Sequence, residues 1–212
     1  MADLTIIRQP AGKIVARDVS EDDYMEHYAA HHHEWVRGYV IRMAPIRLQH
    51  NDLIDYLRDL LRIYFVLNPT GRVVGEPFVM RLAAVESRRE PDLQVILEAN
   101  LPNLKDTYMD GPADICIEVV SPSNAAVDYG EKLEEYEQGG VGEYWLFDPQ
   151  RRAAYFYRQQ ETGGYLSVSP DADGDYRTPR LPKFALHVPT LWQDELPNVI
   201  QITESVRGML KP

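Results

Sequence analysis

Asp114-Ile115-Cys116-Ile117-Glu118-Val119-Val120 is the stretch whose reading decides the fold. Side chains alternate across a β-strand, so Ile115, Ile117 and Val119 share one face while Asp114, Cys116 and Glu118 share the other. A glutamate within so apolar a run reads as part of a central strand, where an unpaired buried carboxylate is costly and needs a cation or a hydrogen-bonding partner. The competing reading is a half-exposed strand with an acidic outer face.

Upstream of this strand, Pro91-Asp92 opens a second apolar run over residues 93–97, and residues 72–82 read as another strand. Downstream, residues 143–148 and 153–158 read as strands joined through the turn Asp148-Pro149. Between them, residues 127–138 place Tyr129, Leu133 and Tyr136 on one helical face, and Gly139-Gly140 supplies the stop. Leu53, Ile54, Leu57, Leu60, Leu61 and Tyr64 recur at spacings of three and four, which predicts an amphipathic helix over residues 48–67, ended by Asn68-Pro69-Thr70-Gly71. Residues 34–43, around Gly38, read as a hairpin, and Ser20 is an N-cap candidate for a short helix before it. Beyond Gly163-Gly164 the chain is turn-rich, with a strand expected near residues 184–188 and a short terminal helix. The expected fold class is α/β, a mixed central sheet flanked by helices with β-hairpins added at the N- and C-terminal sides. One domain is expected over 1–212, with an N-terminal helical extension (1–33), a core (34–160) and a β-rich C-terminal addition (161–212).

At 212 residues, 44% hydrophobic and 26% charged, the chain is long enough to bury a core and too ordinary in composition for disorder or a fibrous repeat. The N-terminal MADLTIIRQPAGK lacks the positive flank and long apolar stretch of a secretion signal, and no apolar run spans a bilayer, so a cytoplasmic location without membrane association is expected. The single Cys116 can form neither an internal disulfide nor a multi-cysteine zinc site. A net charge of −11 argues against a broad nucleic-acid coat and leaves room for local phosphate chemistry where cations cover carboxylates.

If neighbouring strands bring Asp92 and Glu118 together, they form a pair of hard oxygen ligands suited to magnesium or manganese, with the Val119 carbonyl as a further ligand. Metal-assisted phosphodiester hydrolysis needs such a pair. Pro-Asp is also an ordinary strand-start dipeptide. Lys132, fourteen residues after Glu118, offers a cation near an attacking water; alternatively it pairs on the surface with Asp128 at i,i+4. The Ser121-Pro122-Ser123-Asn124 segment is loop and cap chemistry first. Adjacent side chains diverge, so His31-His32-His33 is left without a role. Trp145, Tyr144, Tyr155 and Tyr157 read as strand packing. The pairs Arg88-Arg89 and Arg151-Arg152 read as solvated loop charges or, at most, phosphate contacts.

Taken in order, Pro91-Asp92, the run Gly111-Pro112-Ala113-Asp114-Ile115-Cys116-Ile117-Glu118-Val119-Val120-Ser121-Pro122-Ser123, then Asp128-Tyr129-Gly130-Glu131-Lys132-Leu133-Glu134-Glu135-Tyr136, and Gly140-Val141-Gly142-Glu143-Tyr144-Trp145-Leu146-Phe147-Asp148-Pro149 form a specific series. The chain resembles the Uma-type restriction-endonuclease family of the PD-(D/E)XK nuclease superfamily. The resemblance implies a restriction-endonuclease-like core in which Asp92 and Glu118 bind the metal and a lysine assists. Val120 stands where a Glu-x-Lys motif would place that lysine, and the role maps to Lys132. Glu34, His50 and Glu76 match upstream family positions that support the site; read without the family, Glu34 is an exposed charge, His50 a helix-start hydrogen bonder and Glu76 a strand-edge charge. The implied activity is a magnesium- or manganese-dependent endonuclease acting on nucleic acid, DNA by family. The rival is a nuclease-fold protein that has lost turnover and binds nucleic acid or a protein partner. Nucleases that cut both strands commonly act as twofold dimers, and Leu181, Phe184, Leu186, Val188 and Trp192 look surplus to the core, so a homodimer is expected.

Overall fold

A computed structural model of the chain describes residues 12–45, 47–122 and 125–211. The chain runs through β1 (Lys13–Ala16), α1 (Glu21–His27), β2 (His33–Val36), β3 (Tyr39–Arg42) and the long α2 (Leu48–Leu67). Strands β4 (Gly71–Gly75), β5 (Val79–Leu82), β6 (Ser87–Arg89), β7 (Leu93–Leu97), β8 (Tyr108–Asp110) and β9 (Ile115–Val119) follow. A π-helical turn, Val127–Glu131, leads into α3 (Lys132–Gly139). The chain continues through β10 (Glu143–Asp148), β11 (Ala153–Gln159), β12 (Tyr165–Val168), β13 (Asp175–Tyr176), β14 (Leu186–His187) and α4 (Val199–Leu210).

The central sheet has the order β12-β11-β10-β9-β7-β4. Only β9 and β10 pair in parallel within it, Ile115 opposite Glu143 and Val119 opposite Phe147, and α3 lies in the crossover that such a pair requires. Alternation along β9 is as the sequence suggests. Ile115, Ile117 and Val119 join the apolar cluster beneath α2, while Cys116 joins the one that includes Tyr136 of α3. Glu118 is 3% exposed, so β9 is a central strand buried on both faces and the half-exposed reading falls.

Helix α2 buries Leu53, Ile54, Leu57, Leu60, Leu61 and Tyr64 along one stripe and packs against the central sheet and α4. Truncating one of these, as in Leu57→Ala, is expected to cost ~2–5 kcal/mol. The second sheet, β1-β3-β2-β6-β5-β8, carries the hairpin β2–β3, and α1 is capped by Ser20, whose hydroxyl accepts the Asp23 N–H at 3.1 Å.

Several expectations are corrected. Residues 72–82 are two strands in different sheets, parted at Glu76-Pro77, where proline has no N–H to give to a ladder. The helix expected over 127–138 opens as the π turn and ends at Gly139, with Gly140 at φ +85° closing it. Arg88 and Arg89 lie in β6 and are buried, because carboxylates from three other elements surround them. Residues 12–33 are not helical throughout, since β1 pairs with β3. Leu181, Phe184 and Leu186 are buried in the same cluster as α2, with Val188 and Trp192 packed against it, so they are not surplus apolar surface. Residues 1–11, together with Ser123 and Asn124 of the loop after β9, lie outside the described residues.

Candidate active site

Strands β7 and β9 run antiparallel with Leu93 opposite Ile117, which sets Asp92 beside Glu118 where β9 ends. The Val119 N–H donates to Asp92 Oδ2 at 2.6 Å and fixes that carboxylate. The N-terminal turn of α2 brings His50 Nε2 to 3.3 Å from Asp92 Oδ1. From the first residue of α3, the Lys132 ammonium donates to Glu118 Oε1 at 2.8 Å, and the Tyr136 hydroxyl donates to the same oxygen at 2.7 Å. Asp128 Oδ1 lies 3.4 Å from Lys132 Nζ and Glu34 Oε1 lies 3.8 Å from it. The Tyr144 hydroxyl donates to the Asp128 carbonyl at 3.0 Å and so pins the π turn to β10. A π turn widens the helix by one residue, and such turns are frequent at functional sites. Here it directs both Asp128 and Lys132 into one cleft.

That cleft has room for water-sized occupants of about 30 Å³ and is lined by His50, Glu76, Asp92, Glu118, Val119 and Lys132, with His32, Glu90, Ser121 and Asp128. Glu34 stands behind it, fully buried, and is neither exposed nor idle: Arg89 Nη1 donates to its Oε2 at 2.8 Å, and the Glu90 N–H donates to its Oε1 at 3.2 Å. Arg89, 0% exposed, also donates to Glu131 and Glu135, tying β6 to the start of α3. His50, at the start of α2, is a buried hydrogen-bonding partner of Asp92, and Glu76, directly after β4, is partly buried 3.9 Å from His32, so both keep the places their positions suggested while lining the cleft. Asp128 is buried rather than half of a surface pair.

Sequence reasoning missed His32, Glu90 and Asp128 as members of this cluster. His32 Nδ1 lies 2.9 Å from Glu90 Oε2, and a left-handed φ of 54° separates His32 from its histidine neighbours. The signal for Glu90 was its place directly before Pro91-Asp92. Asp128 had shown itself only through its spacing to Lys132.

The electrostatics point one way. Burial pushes the Glu118 carboxyl well above the usual carboxylate range despite Lys132, and burial raises Glu76 and Glu90 as well. Asp128 is pushed up to about 6, again by burial, with Lys132 opposing. Burial would lower Lys132, but the surrounding carboxylates, Glu118 foremost, override it and hold the ammonium. The same contest at His50 is won by its hydrogen bond to Asp92, which raises it. The cleft is therefore short of positive charge.

Among the described residues, no three His, Cys, Asp or Glu side chains converge as a ready metal cage. The donor set nevertheless fits a hard divalent cation. Its ligands are oxygens on short acidic side chains, and buried Glu90 Oε1 and Asp128 Oδ1 make no hydrogen bond. Asp92, the second oxygen of Glu118 and the Val119 carbonyl could hold such an ion. A roomier cleft of about 490 Å³ lies between α2 and the segment leading to α4, lined by Asp52, Asp55, Asp59, Asp194 and Trp192, but it holds none of this cluster.

A search of curated proteins finds no match. Among solved structures, the chain is similar to one described as "a putative nuclease belonging to DUF820" from Anabaena variabilis, at 16% identity and a TM-score of 0.68, over 81% of this chain and 96% of that one. At that identity the likeness speaks for the fold alone, a mixed α/β fold with two multi-strand sheets. The family model described as "Uma2: Putative restriction endonuclease" matches residues 21–189, and the chain belongs to that family.

Proposed function

We propose that the chain is a magnesium- or manganese-dependent endonuclease that hydrolyses phosphodiester bonds in DNA, in the cytoplasm. The observation that carries this reading is the meeting of Asp92 and Glu118 from adjacent strands with Lys132 from the crossover helix, in a buried cleft whose carboxyls outnumber its cations. A divalent cation there would polarise the phosphate and lower the pKa of the attacking water. The Val119 N–H holds Asp92 in one orientation, and Tyr136 with Lys132 occupies one oxygen of Glu118, leaving the other for a ligand. Lys132, kept charged by Glu118, Asp128 and Glu34, orients the water and offsets phosphate charge as the transition state forms. Glu34 and His50 keep Lys132 and Asp92 in place, and Glu76 adds negative charge at the rim.

A homodimer would let two such clefts cut both strands of a duplex. Its interface is not the C-terminal apolar set, which the core absorbs, and the mass in solution by light scattering tests it.

Plasmid nicking under magnesium and manganese titration, run beside Asp92→Asn, tests the activity. Metal-dependent nicking by the parent and none by the variant is the expected result. A parent that binds DNA but leaves plasmid intact with either metal would instead identify the rival, a nuclease fold without turnover.

A further inference from the structure

Val119 of β9 pairs with Phe147 of β10, so the turn that follows β10 emerges at the same edge of the sheet as the cleft. That turn is clamped to the π turn. Asp148, itself buried, accepts the Arg151 N–H at 3.0 Å through Oδ1 and the Tyr129 hydroxyl at 2.8 Å through Oδ2. The Arg151 guanidinium lies over the Tyr129 ring, 5.3 Å from its centroid, yet its side chain is 66% exposed. Its Nη1 is 3.7 Å from Asp148 Oδ2, outside hydrogen-bonding distance, so the edge of the fork retains donors. Tyr129 follows Asp128 and precedes Lys132 by three residues. A solvent-facing guanidinium is thus mounted on the turn that carries two side chains of the cleft.

Its neighbour is placed differently. Arg152 has a left-handed φ of 49°, and its side chain lines the roomier cleft with Asp52, Asp55, Asp59 and Asp194. Phosphates would be repelled there. Two adjacent, exposed arginines therefore have different neighbours, Arg151 the Tyr129 ring and Asp148, Arg152 a cleft with four aspartates.

We infer that Arg151 is the phosphate-contacting residue that leads a DNA backbone across the β10–β11 turn into the cleft, and that Arg152 is not. The inference rests on the nuclease reading above and adds a direction for the substrate. A guanidinium over an aromatic ring, with its edge in solvent, can offer paired hydrogen bonds to phosphate oxygens.

The test measures binding of a short fluorescent duplex by anisotropy across a salt series, with calcium as the divalent ion, for the parent, Arg151→Gln and Arg152→Gln. The two variants lose the same charge from adjacent exposed positions. Arg151→Gln should bind about three- to tenfold more weakly, with a salt slope shallower by about one, as loss of one phosphate contact demands. Arg152→Gln should stay within about twofold of the parent with the slope unchanged. Equal losses in both variants would mean a general charge effect and overturn the inference, as would unchanged binding by Arg151→Gln. A parent that binds no duplex overturns the nuclease reading itself and takes this inference with it.

Discussion

Glu118, near the end of β9, and Glu143, at the start of β10, are both buried carboxylates on adjacent strands, and they differ in how completely their surroundings satisfy them. Glu143 accepts from Trp145 Nε1 at 2.9 Å and the Tyr176 hydroxyl at 2.7 Å through one oxygen, and from the Thr178 hydroxyl through the other, with Arg158 Nε at 3.4 Å. Tyr176 and Thr178 come from the C-terminal segment, so this carboxylate fastens that segment to the central sheet. Around Glu118, by contrast, Glu90 Oε1, Asp128 Oδ1 and His50 Nδ1 are buried without a hydrogen-bond partner, and four carboxyls are pushed upward. Buried polar groups are normally paired, so a closed cluster marks a structural joint and an open one marks a place kept for something else.

The largest effect should separate the two clusters by stability. Glu143→Ala removes the acceptor of several buried donors and takes the carboxylate from beside Arg158, and is expected to cost ~3–5 kcal/mol. Calorimetric magnesium affinity should be unchanged at temperatures where the variant stays folded. A loss of metal binding without loss of stability would break the division between joint and site. Lys132→Ala should do the reverse in activity, lowering cleavage by about 10²–10³-fold while magnesium binding persists. Its metal-free form should also melt lower, because Glu118, Asp128 and Glu34 lose their shared cation. Cleavage at the parent's rate would remove Lys132 from the chemistry.

A third comparison concerns the two carboxylates proposed as ligands. Asp92→Asn and Glu118→Gln should each weaken magnesium or manganese binding by at least about tenfold, and Glu118→Gln should raise metal-free stability because burial disfavours the charged carboxylate more than Lys132 favours it. The corresponding Glu143→Gln should lower stability and leave metal affinity alone. Titration calorimetry and thermal melts in chelator read both signs.

The parts of this contrast that the sequence announced are those governed by local rules. Alternation along residues 114–120 placed Glu118 opposite the Ile115, Ile117, Val119 face, and the three- and four-residue spacing of Leu53, Ile54, Leu57 and Leu60 fixed α2. The adjacency of Asp92 and Glu118 followed once their strands were taken as neighbours. What stayed hidden depends on distant partners. Arg89 reads as a solvated charge until Glu34, Glu131 and Glu135 are brought to it from 42 to 55 residues away. Nothing in Val127-Asp128-Tyr129-Gly130-Glu131 distinguishes a π turn from an α turn, because the extra residue is held by Tyr144 across the sheet. Glu143 gave no warning of its role either, since its donors at Tyr176 and Thr178 lie more than 30 residues further on.

The smallest expected effect is a pH dependence confined to the open cluster. In metal-free protein the Asp128 carboxyl titrates near 6 rather than at its ordinary 3.8, because burial disfavours its charged form. The folded state therefore holds more protons than the unfolded state between those values. Stability that this group contributes is present below pH ~3.8 and is lost as pH rises through ~6. Asp128→Asn abolishes that dependence while keeping the shape of the side chain. In chelator at neutral pH it should be more stable than the parent by about 1 kcal/mol, a figure kept small because Lys132 loses one of its three carboxylates. Below pH ~4 the advantage should vanish. Saturating magnesium should reverse the order, since the parent then gains a cation beside Asp128 that the amide cannot attract as strongly. Chemical denaturation at several pH values, with and without magnesium, reads each sign, and an Asp128→Asn curve parallel to the parent's throughout would mean that Asp128 does not share in the charge deficit of the cleft.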